Sequence, residues 1–249
     1  MANVFTSDSN CKALWNLEES SGSRIDSIGN NDLTDNNTVL NDTVNFKQGV
    51  ASADFEATNS EYLSIADASL DAGFPLKSGD TTKNISVCAW VRLESLTANG
   101  GNVIFGKFTS SPAINKRSFL TYIANSAGSA KAGIYFGYNS GASAEVSAFH
   151  GTTLSLTTWY HITWTYQNSD KSYAIRIRDT NGNTVGTDLT GTATLDANKL
   201  SVTDSELCIG TYIWTGVPDP TYIHDGLMDE IVVFNDVITS AEATQIAKG

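Results

Sequence analysis

The chain has 249 residues, of which 41% are hydrophobic, so it can bury a sizeable core. Charged residues make up only 17%, against ~25% in an average domain, and the formal charge is −12. An acidic chain of this kind releases no counterions from nucleic acid, which excludes a phosphate-tracking protein and disfavours anionic membranes, leaving cations and neutral ligands.

Period-two alternation with β-branched and aromatic enrichment predicts strands along the whole chain. They fall at 12–17, 61–65, 85–93, 102–107, 117–124, 131–138, 144–149, 159–166, 173–179, 207–212 and 227–234. The 159–166 run is the strongest, with Tyr160, Ile162, Trp164 and Tyr166 on one apolar face. Asn181-Gly182 after the 173–179 run reads as a hairpin turn. Residues 26–45 and 125–143 are rich in Asn, Asp, Gly, Ser or Ala and read as loops or hairpin tips, because strand patterning resumes on either side. One helix is predicted, at the end: Thr239-Ser-Ala-Glu242 has the spacing of a capping box. Eleven or more strands without interleaved helices exclude a doubly wound fold. They predict one all-β domain over 1–249, a two-sheet antiparallel β-sandwich of jelly-roll type with a short C-terminal helix.

No apolar run approaches the ~18 residues of a spanning helix, and residues 1–10 lack the regions of a secretory signal. Cys11, Cys88 and Cys208 are far apart and without CxxC spacing, so buried thiols are expected rather than zinc or disulfides. The three Asn-x-Ser/Thr triplets at Asn36, Asn41 and Asn84 read as chance matches.

Several segments, in order, resemble the laminin-G-like, concanavalin A-like jelly-roll superfamily in its bacterial and viral branch. They are ALWNLE at 13–18, SG and DSIGNN at 21–31, FKQGVASADF at 46–55, EYLSI at 61–65, the strand through Trp90, WYH at 159–161, DGLMDEIVVF at 225–234 and the terminal helix. The resemblance covers 11–247 and departs from the family at 175–182, where IRIRDTNG replaces an L-Y-x-D-G strand and turn. The superfamily hosts lectins, adhesion modules, glycosidases, lyases and virion proteins, so fold alone does not select among them.

Hard cations take several oxygen ligands, and Asp26, Asn30 and Asn31 lie in a loop that Gly29 lets bend. The resemblance implies a structural calcium between this loop and Asp229 on the last strand. The alternative is that Asp26 and Asn30 make Asx-turns and Asp229 is a hydrogen-bonded edge carboxylate. Sugars pack their C–H faces on aromatic rings. The 212–224 connection holds Trp214, Asp219, Tyr222 and His224, stiffened by two prolines, with polar partners expected from 138–145. The competing role for Trp214 and Tyr222 is to cap one end of the core. No E-x-D-x-x-E pattern or hydrolase motif occurs, and His161 in its strand reads as structural, so no enzyme is expected.

The expected function is therefore a non-catalytic, lectin-like module that recognises a glycan or surface polysaccharide, placed on a virion surface or outside the cell. The alternative is a capsid or tail decoration protein that binds other virion proteins, and a minor alternative is a glycan-active enzyme with a dispersed site. A homo-oligomer is a further expectation, because sandwich edges must be covered or paired.

Overall fold

The computed structural model describes residues 4–97, 100–110, 116–137, 145–194 and 200–249. In chain order its strands are β1 (Cys11–Trp15), β2 (Thr34–Asn36), β3 (Leu40–Asp42), β4 (Ser52–Phe55), β5 (Tyr62–Ile65), β6 (Ile85–Leu93), β7 (Gly101–Phe108), β8 (Arg117–Ser126) and β9 (Ser129–Gly137). They continue with β10 (Glu145–Phe149), β11 (Tyr160–Tyr166), β12 (Ser172–Arg178), β13 (Leu189–Thr192), β14 (Leu207–Ile209), β15 (Ile213–Trp214), β16 (Val217–Pro218) and β17 (Gly226–Phe234). The one α-helix among the described residues is α1 (Ser240–Ile246). No helix among them is long and apolar enough to cross a membrane.

Two antiparallel sheets stack face to face, as predicted. The first runs β13-β12-β11-β6-β17-β4-β3, with β1 also on β17; the second runs β10-β9-β8-β7-β14-β5-β2. Their facing surfaces supply the main core, which includes Trp15, Phe55, Phe105, Phe119, Phe136, Trp164 and Tyr166. Alternation decides this. In β11, Ile162, Trp164 and Tyr166 point into the core, while His161 and Thr163 lie on the other face.

β17 is the keystone of the first sheet. One side pairs with β6 throughout; the other pairs with β4 at Gly226–Met228 and with β1 at Ile231–Phe234. The register shifts between Asp229 and Val232, where Glu230 adopts φ 50°. That bulge lets Met228 and Ile231, three apart, both face the core. Val232 and Phe234 face outward and are buried with Cys11, Leu14 and Cys88 under Ile238, Ala243 and Ile246 at α1. The helix starts on its predicted capping box: Glu242 N–H donates to Thr239 Oγ1 at 3.2 Å, and Thr239 N–H to Glu242 Oε2 at 2.6 Å.

Several details differ from expectation. β2 and β3 fall in a stretch read as loop, because their Asn/Asp-rich sequences carry no apolar alternation and pairing with β5 and β4 alone defines them. β12 and β13 form the expected hairpin around Asn181-Gly182: past β12 an Arg178–Thr184 bridge and the Asp179 N–H to Asn183 O bond at 2.9 Å carry the pairing to a reversal over residues 180–182, one residue longer than a two-residue turn. The three cysteines are buried and free, and burial pushes the Cys88 thiol up to about 12.

Candidate functional site

The second sheet has aromatic residues on both faces. In β8, Phe119 and Ile123 enter the core, whereas Leu120, Tyr122 and Ala124 belong to a separate cluster on the outer face. Val103 and Phe108 of β7 and Tyr135 of β9 join that cluster. Tyr212 and Tyr222 complete it from the segment that crosses between β14 and β17. The rings form a chain of near-perpendicular or tilted contacts. Phe108 meets Tyr135 at 5.4 Å and Tyr212 at 5.2 Å; Tyr222 meets Tyr212 at 5.2 Å and Tyr122 at 6.4 Å. Such pairs are stabilising beyond the area they bury. Two glycines make room. A Cβ at Gly106 would lie 3.4 Å from Tyr212 Cβ and 3.0 Å from Leu120, and one at Gly133 would lie 3.1 Å from the rings of Tyr122 and Phe149.

Between the rings lies a cavity of about 160 Å3 lined by Phe108, Ser110, Arg117, Leu120, Tyr122, Tyr135, Tyr212 and Tyr222. Arg117 supplies its formal charge, the guanidinium lying 5.8 Å from the Phe108 ring centroid and donating from Nη2 to Ser110 Oγ at 2.8 Å. Burial pushes the Tyr122 phenol well above its usual range. Burial, and then the Asp219 carboxylate beside it, does the same for Tyr212. Both phenols therefore stay neutral at working pH. The cavity thus offers flat apolar faces, neutral hydroxyls and one cation.

The predicted ligand residues are divided between the cavity, its support and the core. Tyr222 lines the cavity. Asp219 is buried behind it, accepting from the Tyr212 hydroxyl at 2.7 Å and from Thr221 N–H and Oγ1 at 2.9 and 2.7 Å, so it positions a ring and a turn. Trp214 sits on the β15–β16 hairpin, 46% exposed, outside the cavity lining. A bridge from Ile213 to Thr109 ties that hairpin to the end of β7. His224 is a correction: it is fully buried, 5.8 Å from the Phe55 ring, and burial lowers it to about 3. Of the 138–145 segment, residues 138–144 lie outside the described residues. Phe108, Arg117, Tyr122, Tyr135 and Tyr212 were not predicted as ligand residues. For Tyr122 the signal was present in 119–124, where Leu120, Tyr122 and Ala124 alternate with Phe119 and Ile123 and so leave apolar residues on both faces.

The loop predicted to hold calcium folds around Asp26. Its Oδ1 accepts from Leu14 N–H and Ile28 N–H, both at 3.0 Å; its Oδ2 accepts from Asn31 N–H and Nδ2 at 3.2 and 2.8 Å. Four donors fill the lone-pair sites of a carboxylate. Asn30 N–H and Asn31 Oδ1 are engaged with Asp71 at 2.7 and 2.8 Å. Asp229 holds a different segment, its Oδ2 accepting from Lys47 N–H at 2.6 Å and Gln48 N–H at 2.9 Å. Asp26 and Asp229 share no hydrogen-bond partner: N–H groups occupy both oxygens of Asp26 and Oδ2 of Asp229, whereas Asp229 Oδ1 is buried without a hydrogen-bond partner. With its four lone-pair sites taken, Asp26 as placed does not fit a calcium shared with Asp229.

Acidity concentrates on the first sheet instead, where one oxygen each of Asp54, Glu56 and Glu94 lie within 4.8 Å of one another. Burial, then the Glu94 charge, raises Asp54 to about 6. His150 and His161 are buried, and His161 is lowered to about 3 by burial and then by Arg178.

The comparisons bear on the fold. Domain 4 of an extracellular GH43 arabinanase from Geobacillus stearothermophilus, solved in complex with arabinotriose, superposes with a TM-score of 0.61 at 15% identity, covering 96% of this chain and 98% of that one. A sialidase from Trypanosoma rangeli gives 0.58 at 13% identity, covering 96% of this chain but 32% of the sialidase. No curated protein sequence matches. The sequence pattern of the concanavalin A-like lectin/glucanases superfamily matches residues 58–244. That span holds every strand from β5 to β17, both central pairings and the aromatic face, and the chain belongs to the concanavalin A-like lectin/glucanases superfamily.

Proposed function

We propose that this protein is a carbohydrate-binding module whose ligand lies on the aromatic outer face of the second sheet. The observation that carries the reading is the 160 Å3 cavity walled by Phe108, Tyr122, Tyr135, Tyr212 and Tyr222. An outward sheet face normally carries polar residues, whereas this one presents stacked rings with hydroxyls and a guanidinium, the chemistry that holds a sugar's apolar face and its polar rim. Glycosidases flank the scissile bond with two carboxylates; none is among the described residues that line the cavity, and the reading is of binding without turnover. The arabinotriose bound to the arabinanase domain supports a glycan as the class of ligand to try first.

The test is calorimetry and affinity electrophoresis against arabino-, xylo-, gluco- and galacturono-oligosaccharides, with wild type, Tyr135→Ala and Tyr222→Ala. Retention of one series by wild type, weakened about tenfold or more in either variant, is expected from loss of one stacking ring. Absence of binding to all four series overturns the reading.

A second reading rests on a separate feature. Leu40 on edge strand β3, and Val44, Phe46 and Val50 in the connection after it, are exposed. Exposed apolar edges invite pairing, and self-association through this edge is the reading they favour. Light scattering across a concentration series tests it: a dimer that Val44→Lys dissociates supports it, and a monomer throughout removes it.

A further inference from the structure

Phe149 lies outside the cavity but belongs to the same chain of rings. It ends β10, the edge strand of the second sheet, and its ring centroid is 5.9 Å from that of Tyr122, a wall of the cavity. Directly across the β9–β10 pair stands Gly133, the residue whose missing side chain lets both rings lie against the sheet. A ring that served only to cover Tyr122 would be sheltered by that contact, yet Phe149 remains 42% exposed. The cavity itself is small, about half the ~300 Å3 at which pockets for drug-sized molecules begin. It suits one sugar ring and not a chain.

We infer that Phe149 is a second sugar-stacking position, so that the ligand is an oligosaccharide running from the cavity past Tyr122 and over Phe149 to the β10 edge. The inference rests on the aromatic face being the glycan site, and it adds the direction and minimum length of the ligand. One residue enters among Tyr122, Tyr212 and Tyr222, and the next lies on Phe149. Each stacked sugar adds apolar contact, and the Tyr122 and Phe149 rings, both seated over Gly133, make one continuous aromatic surface between the two positions.

The experiment is calorimetry with arabino-, xylo- and gluco-oligosaccharides of one to four residues, using wild type, Phe149→Ala, Phe149→Trp and Tyr222→Ala, each checked for fold by circular dichroism. For wild type, affinity rises between one and two or three residues. Phe149→Ala flattens that rise by about tenfold, the scale of one aromatic contact, and Phe149→Trp restores it. Wild-type affinity that does not depend on length, or a Phe149→Ala variant that keeps the rise, overturns the inference. Loss of all lengths in Tyr222→Ala leaves the cavity reading standing in that event. Wild type silent toward these three series and toward galacturono-oligosaccharides overturns both.

Discussion

Asp229 and His161 show what a single buried polar group does in this sandwich. Asp229 closes the fork in β17 by receiving the Lys47 and Gln48 N–H groups, which fixes the connection entering β4. Asp229→Ala leaves both donors without their acceptor. The expected cost is about 1–3 kcal/mol, read as a lower melting temperature. Because Oδ2 is held by these N–H groups and the Asp26 carboxylate has no lone pair left to share a cation with Asp229, the loss is expected to be equal in calcium and in chelator; a loss seen only with calcium contradicts this. Burial raises Asp229 to about 6, above the ~3.9 of an unfolded chain, so its stabilising share is complete below that lower value and disappears as pH rises through 6. His161 works in the opposite direction. It is packed edge-on against Trp90 at 5.2 Å, neither ring nitrogen has a hydrogen-bond partner, and it is lowered to about 3. The unfolded chain takes up this proton near pH ~6.5. Stability is therefore lost as pH falls from there toward 3. His161→Phe should move the acid-unfolding midpoint to lower pH; an unmoved midpoint rejects that role.

Among the elements, those carried by local pattern were legible in the sequence, and those made by partners were not. β6, β11, β12 and β17 announce themselves by alternation, and α1 by its cap. Thr239→Ala should lower stability by about 1 kcal/mol, the usual value of such a cap, measured by denaturant unfolding with an unchanged slope. β2 and β3 carry no such pattern and exist only because β5 and β4 offer an edge. The site divides in the same way. Tyr222 was legible as an aromatic in a proline-stiffened connection, and His224 in the same connection was misread, since two residues of travel take the chain from the cavity wall into the core beside Phe55. Tyr122 and Tyr135 sit in strands whose outward parity becomes meaningful only once β8, β9 and the 212–224 segment are known to be neighbours. Sequence order conceals that adjacency, because Tyr122 and Tyr222 meet at 6.4 Å from positions 100 residues apart in number. Gly133→Ala probes the same element from below: it crowds the Tyr122 and Phe149 rings and should weaken oligosaccharide binding with little change in the melting curve.

At the scale of the whole molecule, the formal charge of −12 and the aromatic lining of the cavity separate long-range repulsion from recognition. The charge sets long-range repulsion, which salt screens within about 8 Å at physiological strength; stacking against rings is contact-range and unscreened. Affinity for a neutral oligosaccharide should stay constant as salt is raised from about 50 mM to about 500 mM, checked by calorimetry, and a steep salt dependence would place charge at the centre of the site. Residues 5–10 and 234–236 meet on the sheet that does not carry the rings. Asn235 N–H donates to Asn10 O at 3.0 Å, Asn10 Nδ2 to Asp236 Oδ2 at 3.1 Å, and Phe5 packs on Phe234 at 6.2 Å. A fold whose first and last long strands, β1 and β17, are hydrogen-bonded neighbours lends itself to insertion as a unit. Spliced into a surface loop of a carrier by two short joints, it should stay folded with the rings of the second sheet turned outward, toward whatever the carrier is meant to reach.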